Sequence, residues 1–433
     1  MSSMRFFLSI CICVCIFSGC GSRKDGCKLP IVNINEKEIA DLDPLKLVDT
    51  TIKLSQIADN IEIIALETID EAMLSGSSFL IGNKFILANR GNELYQFSYD
   101  GKFIRLIAKK GRGPEEIPSM GKNLSYNINE ELDLLYITCI DDIYLYRLSS
   151  GAFLGKKNIP DFRDLKEARS ITMTISDSLF IYSYFSRGVK GDDLCSGVAV
   201  QDWNGDIVWR KEFDYLTWTI VPPPIDIETL SGSDISIVNT DNPREFLFQV
   251  DNHDTCYMFN VDNLSLEPYM LRRTTGLTLK DGHPIGQFHT GSYVLHQEFN
   301  RINNIHLMRM NLTTKFIDLS NIETDTYFIL YDDKTKSAYN ITKFEDDYLG
   351  FIHTYHGSDG SRSYIYPSLA PPYGKFLIKY EASDFVKLAN EELEDPDISK
   401  EIKDKLHSLL ERVTETSNPV LLTGDMKRNP KFQ

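Results

Sequence analysis

Tyr95-Gln96-Phe97-Ser98-Tyr99-Asp100-Gly101-Lys102-Phe103-Ile104 reads as a strand, a tight turn and a second strand. Aromatic and β-branched residues flank an Asp-Gly pair, and Asp-Gly suits the positive φ values of a short hairpin. The same unit returns at Tyr144-Leu145-Tyr146-Arg147-Leu148-Ser149-Ser150-Gly151-Ala152-Phe153-Leu154. It returns again at Val198-Ala199-Val200-Gln201-Asp202-Trp203-Asn204-Gly205-Asp206-Ile207-Val208, and more loosely from Tyr257 to Leu266. The turns fall at residues 100, 150, 204 and 262, a spacing of 50 to 58 residues. Four short strands fill a repeat of that length, which is the blade of a β-propeller. A β-helix needs much shorter rungs, and a sandwich does not repeat such a unit. Residues 79–382 divided by about 50 residues per unit predict an all-β, six-bladed β-propeller. The stretch from Asn300 to Phe344 leaves five or seven blades open.

Outward from these units, further short runs of Ile, Val, Tyr, Phe and Leu read as strands, among them Ile61–Leu66, Leu134–Cys139, Leu179–Phe185 and Glu245–Val250. No helical period appears before residue 383. Ile398, Ile402, Leu406, Leu409, Leu410 and Val413 then fall at helical spacing, with Asp395 and Pro396 placed as N-cap and first-turn residues. They predict an amphipathic helix over 397–414 packed on the propeller. Asn418-Pro419 stops it, and 419–424 reads as a closing strand. Pairing that strand with Ile61–Leu66 would seal the ring and remove two exposed edges.

At the other end, Met1–Arg5 carries one positive charge and the apolar run Phe6–Phe17 follows. That run is well short of the roughly 20 residues that cross a bilayer, and Ser18-Gly19-Cys20 comes next, so residues 1–19 read as a secretory signal. Small residues before a cysteine resemble the bacterial lipobox, here with Phe17 in place of an aliphatic residue. Cys20 is therefore the predicted lipid attachment site. Residues 20–50 are polar and without a clear period, and read as a tether ahead of a propeller spanning 51–433.

The chain has 433 residues, 42% hydrophobic and 25% charged, ample for a large core. A net charge of −16 argues against a nucleic-acid partner, because phosphate affinity comes from Lys and Arg. Beyond the signal and Cys20 the cysteines are Cys27, Cys139, Cys195 and Cys256, with no C-x-x-C pair to suggest a zinc ribbon or a redox site. They could form two bridges, or stay as buried thiols, since Cys139 and Cys256 lie in strand-like runs.

Three stretches resemble the six-bladed β-propeller lipoproteins of gut Bacteroidota. They are Leu54–Thr68, Asp100-Gly101-Lys102-Phe103-Ile104-Arg105 leading to Lys110-Gly111-Arg112-Gly113-Pro114-Glu115-Glu116, and Glu411–Lys427 with its Asn418-Pro419-Val420-Leu421 step. The resemblance covers both ends and the first blade. It implies the fold and an outer-membrane or cell-envelope location, and no particular chemistry. Asp100–Gly113 is also similar to NHL-type repeats, whose propellers mostly bind proteins or other ligands. Asn89-Arg90 departs from the Asp-Arg pair common there.

Two functional readings follow. Arg90, Lys109 and Arg112, with Lys110 among glycines and Pro114, form a basic group that could receive an anionic ligand such as a carboxylate sugar. The same glycines suit a plain connection between blades. On this reading the protein is a membrane-anchored scaffold for a protein or carbohydrate ligand. Alternatively, His253, His289 or His296, and His353 or His356 come from three predicted blades and could converge on a zinc in the central channel. That would make a metal-dependent hydrolase or lyase. The pairs Asp226 and Glu228, Asp332 and Asp333, and Asp346 and Asp347 lack EF-hand spacing. There is neither a Gly-x-Ser-x-Gly elbow nor a phosphate loop, and no cofactor is indicated.

Overall fold

The structure, a computed structural model, describes residues 27–118, 125–139, 142–158, 167–174, 178–188, 196–213, 216–221, 227–232, 235–242, 244–250, 254–272, 293–318, 321–355, 367–370 and 373–430. The N-terminal part carries β1 (Cys27–Lys28), β2 (Ile31–Ile34), β3 (Lys37–Leu42), β4 (Asp49–Lys53), the helical turn α1 (Leu54–Ile57) and β5 (Ala58–Ala65). Meanders of consecutive antiparallel strands follow. The first is β6 to β9 (Ser78–Ile81, Phe85–Arg90, Glu93–Ser98, Phe103–Lys109). The second is β10 to β13 (Ser125–Asn129, Leu134–Cys139, Asp142–Arg147, Phe153–Asn158). The third is β14 to β17 (Glu167–Thr174, Leu179–Gly188, Ser196–Asp202, Ile207–Phe213), extended by the hairpin β18 and β19 (Leu216–Val221, Ile227–Gly232). The fourth is β20 to β23 (Ile235–Asn239, Glu245–Val250, Thr255–Asn260, Ser265–Arg272). The fifth is β24 to β27 (Tyr293–Ile302, Ile305–Asp318, Asn321–Asp332, Ser337–Asp346). Last come β28 (Phe351–Thr354), β29 (Ser368–Ala370), β30 (Lys375–Tyr380), α2 (Ala382–Leu393), α3 (Lys400–Leu410) and β31 (Val420–Met426).

The first strands of successive sheets lie against one another, β10 on β14, β14 on β20, β20 on β24 and β24 on β29. The sheets thus radiate from a common centre, an all-β propeller-type arrangement. Blades cut from consecutive strands number five, against the six that the repeat spacing predicts. The remaining four-stranded sheet has the order β29-β30-β31-β5 and is not a repeat of that kind, because it draws strands from both ends of the chain. Bulges sit at the outermost pairs β8–β9, β12–β13, β16–β17 and β31–β5, and at β22–β23 inside the edge that β3 covers. Such bulges raise the local twist and blunt a sheet edge against foreign strands.

The predicted tether requires correction from Cys27 onward. β3 pairs in parallel with β23, Met270 opposite Ala40, and β2 pairs with β3. β1 and β4 both pair with β27. This segment therefore straps the outer edges of two blades, with Ile39, Ala40, Leu42 and Ile52 buried. Its runs are too short to betray strands locally, and their partners lie far along the chain. Leu42 is fully buried, so Leu42→Ala is expected to lower stability by about 3 kcal/mol. A tether position would show no shift of the urea midpoint.

The C-terminal helix also differs in its bounds. It runs over Lys400–Leu410 rather than 397–414, and its N-cap is Ser399, whose hydroxyl accepts from the Ile402 amide at 3.2 Å. Asp395 and Pro396 lie in the link from α2. Phe385 and Ala389 of α2 and Leu406 and Leu409 of α3 are buried in one cluster with Phe351, Phe376, Tyr380 and Leu422. The Lys405 ammonium stands 3.7 Å over the Tyr348 ring. Among the described residues no helix is long and apolar enough to cross a membrane.

Candidate functional site

Antiparallel meanders put connections after the first and third strands at one end of the ring and the others at the opposite end. The first set is tight: the β8–β9 turn bonds back to the β6–β7 turn through Tyr99 N to Lys84 O at 3.0 Å. Val261 N to Arg244 O at 2.9 Å and Asp333 N to Asn304 O at 2.8 Å do the same in later blades. The second set includes the α2 and α3 insertion and the connection from β9 to β10. Ligands of ring-shaped folds are served by such longer connections, where side chains are free of ladder constraints.

Arg90, Lys109 and Arg112 come to this longer-connection end. Arg90 closes β7 and is exposed; its Cα partner is Glu93, whose partner on the other side is Lys109. The Tyr95 hydroxyl, on a buried ring, donates to Glu93 Oε2 at 2.5 Å. Burial first and the Glu93 carboxylate second push its pKa up to about 12. Beyond Lys109 the chain folds around Glu116. Its carboxylate accepts from the Gly113 amide at 2.8 Å and pairs with Lys109 Nζ at 3.1 Å, and these contacts hold its pKa below the usual range. Gly111 N to Ile117 O and Ile117 N to Lys109 O, both 3.0 Å, close the loop. A Cβ on Gly111 would stand 1.8 Å from Glu116 Oε2, so any side chain there would push the carboxylate out of its place. Lys109 is therefore engaged internally, while Lys110 and Arg112 are exposed. Glu116→Ala is expected to unlatch the loop: the Gly113 amide loses hydrogen-exchange protection while Ile107 and Ala108 of β9 keep theirs.

His353 lies on β28, which pairs with the last strand of the fifth blade rather than lining the centre. Its ring stacks on Phe344 and its Nε2 stands 3.4 Å from the Tyr380 hydroxyl. Burial pushes its pKa down to about 4. This is a packed core histidine, not a side chain aimed at a channel metal. His253, His289 and Cys20 lie outside the described residues, as does Cys195. Among the described residues no group of three His, Cys, Asp or Glu is placed to hold a metal ion. Cys139 and Cys256 are buried thiols and Cys27 is a half-buried one.

Asp332 and Asp346 cap turns, while Asp226 lies outside the described residues. Asp332 accepts from Asn304 Nδ2 at 2.6 Å and Thr335 Oγ1 at 2.8 Å. Asp346 Oδ1 accepts from the Tyr348 and Leu349 amides at 3.1 Å, and its Oδ2 from the Tyr380 hydroxyl at 2.8 Å. Burial raises the Asp346 pKa to about 6. Sequence reading missed a polar seam between the fourth and fifth blades. There Arg301 pairs with Glu245 at 3.1 Å and stands 5.7 Å over the Tyr269 ring, whose hydroxyl is 2.8 Å from His306 Nε2. Its members lie on different blades, so no local motif announces it.

A ring of radiating sheets, closed by strands from both chain ends and bearing one end of longer connections, defines a β-propeller. The chain belongs to the family described as Domain of unknown function (DUF4934), whose model matches residues 37–424 and thus includes the β3 strap and most of β31. No curated protein matches the chain. Among solved structures, a Bacteroides fragilis NCTC 9343 protein named a "putative exported protein" is similar over 88% of this chain and 100% of its own, with 16% identity and a TM-score of 0.58. An oligogalacturonate lyase of Vibrio parahaemolyticus covers 86% of this chain and 100% of its own at 10% identity and a TM-score of 0.36. The WD40 domain of Toxoplasma gondii coronin covers 58% of this chain and 55% of its own at 12% identity and a TM-score of 0.32.

Proposed function

We propose that this chain is an exported lipoprotein, acylated at Cys20, whose six sheets form one six-bladed ring that serves as a binding scaffold in the cell envelope. The ligand-receiving part is the longer-connection end, with Lys110 and Arg112 exposed on a loop held rigid by Glu116. That pre-formed basic loop on a chain of net charge −16 is the observation that carries the reading, and it favours an anionic ligand such as a uronate-bearing glycan. Export is supported by the apolar run before Ser18-Gly19-Cys20 and by the likeness to a protein named as exported.

Fatty-acid labelling in the producing cell tests the anchor: label appears on the parent and disappears with Cys20→Ala. Calorimetric titration with uronate oligosaccharides tests the scaffold, with binding expected for the parent and lost in Lys110→Ala/Arg112→Ala. Unchanged binding by that variant removes the loop from the reading. About one zinc per purified chain would replace the scaffold with the metal-enzyme alternative.

A further inference from the structure

A second basic group lies at the tight-turn end, around the point where the N-terminal strap meets the fifth blade. Lys28 follows Cys27 in β1, and its Nζ donates to the Thr335 carbonyl at 2.6 Å. Lys334, next to Thr335 in the β26–β27 turn, donates to Asn429 Oδ1 at 2.8 Å. Arg428 precedes Asn429 just beyond β31. Lys28, Lys334 and Arg428 are all exposed, and among the described residues none of them forms an ion pair with a carboxylate. Their neighbours Lys336 and Lys427 are neutralised by Asp333 at 2.5 Å and Asp59 at 3.2 Å. Three cations held only by neutral oxygens, or by none, are notable on a chain of net charge −16.

We infer that Lys28, Lys334 and Arg428 form a docking surface for the anionic phospholipid headgroups of the bilayer that holds the Cys20 acyl chains. The inference rests on the lipoprotein reading above. Seven residue steps separate Cys20 from Cys27, so the chain between them reaches at most about 25 Å when fully extended. β1 is fixed to β27 by Cys27 opposite Ala338 and Lys28 opposite Ser337. A lipid at Cys20 therefore keeps this edge of the ring beside the membrane. Arg23 and Lys24 add positive charge along the same path, against Asp25. Basic residues at an anionic surface attract phosphates within a Debye length, so a short lipid tether is what makes these three groups count. Docking there turns the tight turns towards the bilayer and leaves the loop of Lys110 and Arg112 facing away from it.

The test uses the acylated protein reconstituted into vesicles of phosphatidylcholine alone or with phosphatidylglycerol. An amine-reactive reagent is applied and modification is read by peptide mass spectrometry. Lys28 and Lys334 are expected to react several-fold more slowly on phosphatidylglycerol vesicles, with Lys110 unchanged and the protection lost in 1 M NaCl. Equal reaction on both vesicle types with the protein incorporated overturns the docking surface and leaves the anchor standing. Failure to incorporate, with no acyl chain on Cys20, overturns both. Lys334→Glu/Arg428→Glu supplies a second arm: it should incorporate as the parent does yet lose the protection at Lys28, and retained protection would also overturn the inference.

Discussion

A chain ending at Thr416 does not reach a cooperative folded state. The truncation removes β31, which lies between β30 and β5, with Leu421 opposite Lys379 on one side and Ile64 on the other. Val420, Leu421, Leu422 and Thr423 are fully buried, and Met426 nearly so. Burying such apolar side chains contributes about 1.5 to 3 kcal/mol each, so their joint loss rivals the 5 to 15 kcal/mol by which a domain is ordinarily stable. The cut also takes Asn418, whose amide is buried. It accepts from Leu74 N at 2.8 Å and donates to Glu67 O at 2.7 Å and Ala72 O at 2.8 Å, pinning the chain between the closing sheet and the first blade. β5 would keep no partner in its sheet, and Lys427 would no longer bond its amide to Ile57 O. Aggregation, or a broad transition far below that of the full chain in calorimetry, is the expected outcome. A single sharp transition at the parental temperature would show that β5 and β30 do not need the strand between them.

The repeat was legible in the sequence because each hairpin demands a local conformation that few residues adopt. Gly101, Gly151 and Gly205 take φ values of +88°, +71° and +102°, and they mark the three clear copies. The looser copy places Leu264 at φ +50°, which costs a side chain strain and blurs the motif. The closing strand was legible for a different reason: an apolar run after a helix stop has only an open sheet edge to fill. The strap over residues 27–53 was not, since parallel addition to β23 and β27 depends on remote partners and leaves no turn signal. The basic loop could be read as a loop but not as a latch. Nothing in the spacing of Lys109 and Glu116 reveals that the carboxylate turns back onto the Gly113 amide. Histidines were the least legible class. His353 was singled out for a channel and packs against Phe344 and Tyr380, while His306, which attracted no notice, is the most deeply enclosed of those described.

Those two histidines make the fold sensitive to acid. Burial, and then the Arg301 guanidinium, push the His306 pKa down to about 3, and burial pushes that of His353 to about 4. In the unfolded chain both return to about 6.5. Between pH 6.5 and 4 the unfolded state therefore binds protons that the folded state refuses, and stability must rise with pH across that window. Asp346 opposes this. Its folded pKa is raised to about 6, so its protonated form stabilises the fold increasingly as pH falls from 6 towards 4. The two histidines outweigh the single carboxyl, and the net loss from pH 7 to 4.5 is about 3 kcal/mol. Below pH 4 the carboxylates held under their usual range, among them Asp333 beside Lys336 and Tyr331, add further loss as they protonate. Urea midpoints should therefore fall steadily from pH 7 to 4.5, and His353→Gln should remove most of that fall, because His306 alone then stands against Asp346. Asp346→Asn should steepen the fall, because its amide oxygen can still accept from Tyr348 and Leu349 while the opposing proton uptake disappears. A midpoint that stays level or rises between pH 7 and 4.5 would mean that water reaches one of these rings, and hydrogen exchange at the Tyr269–His306 seam would then show which.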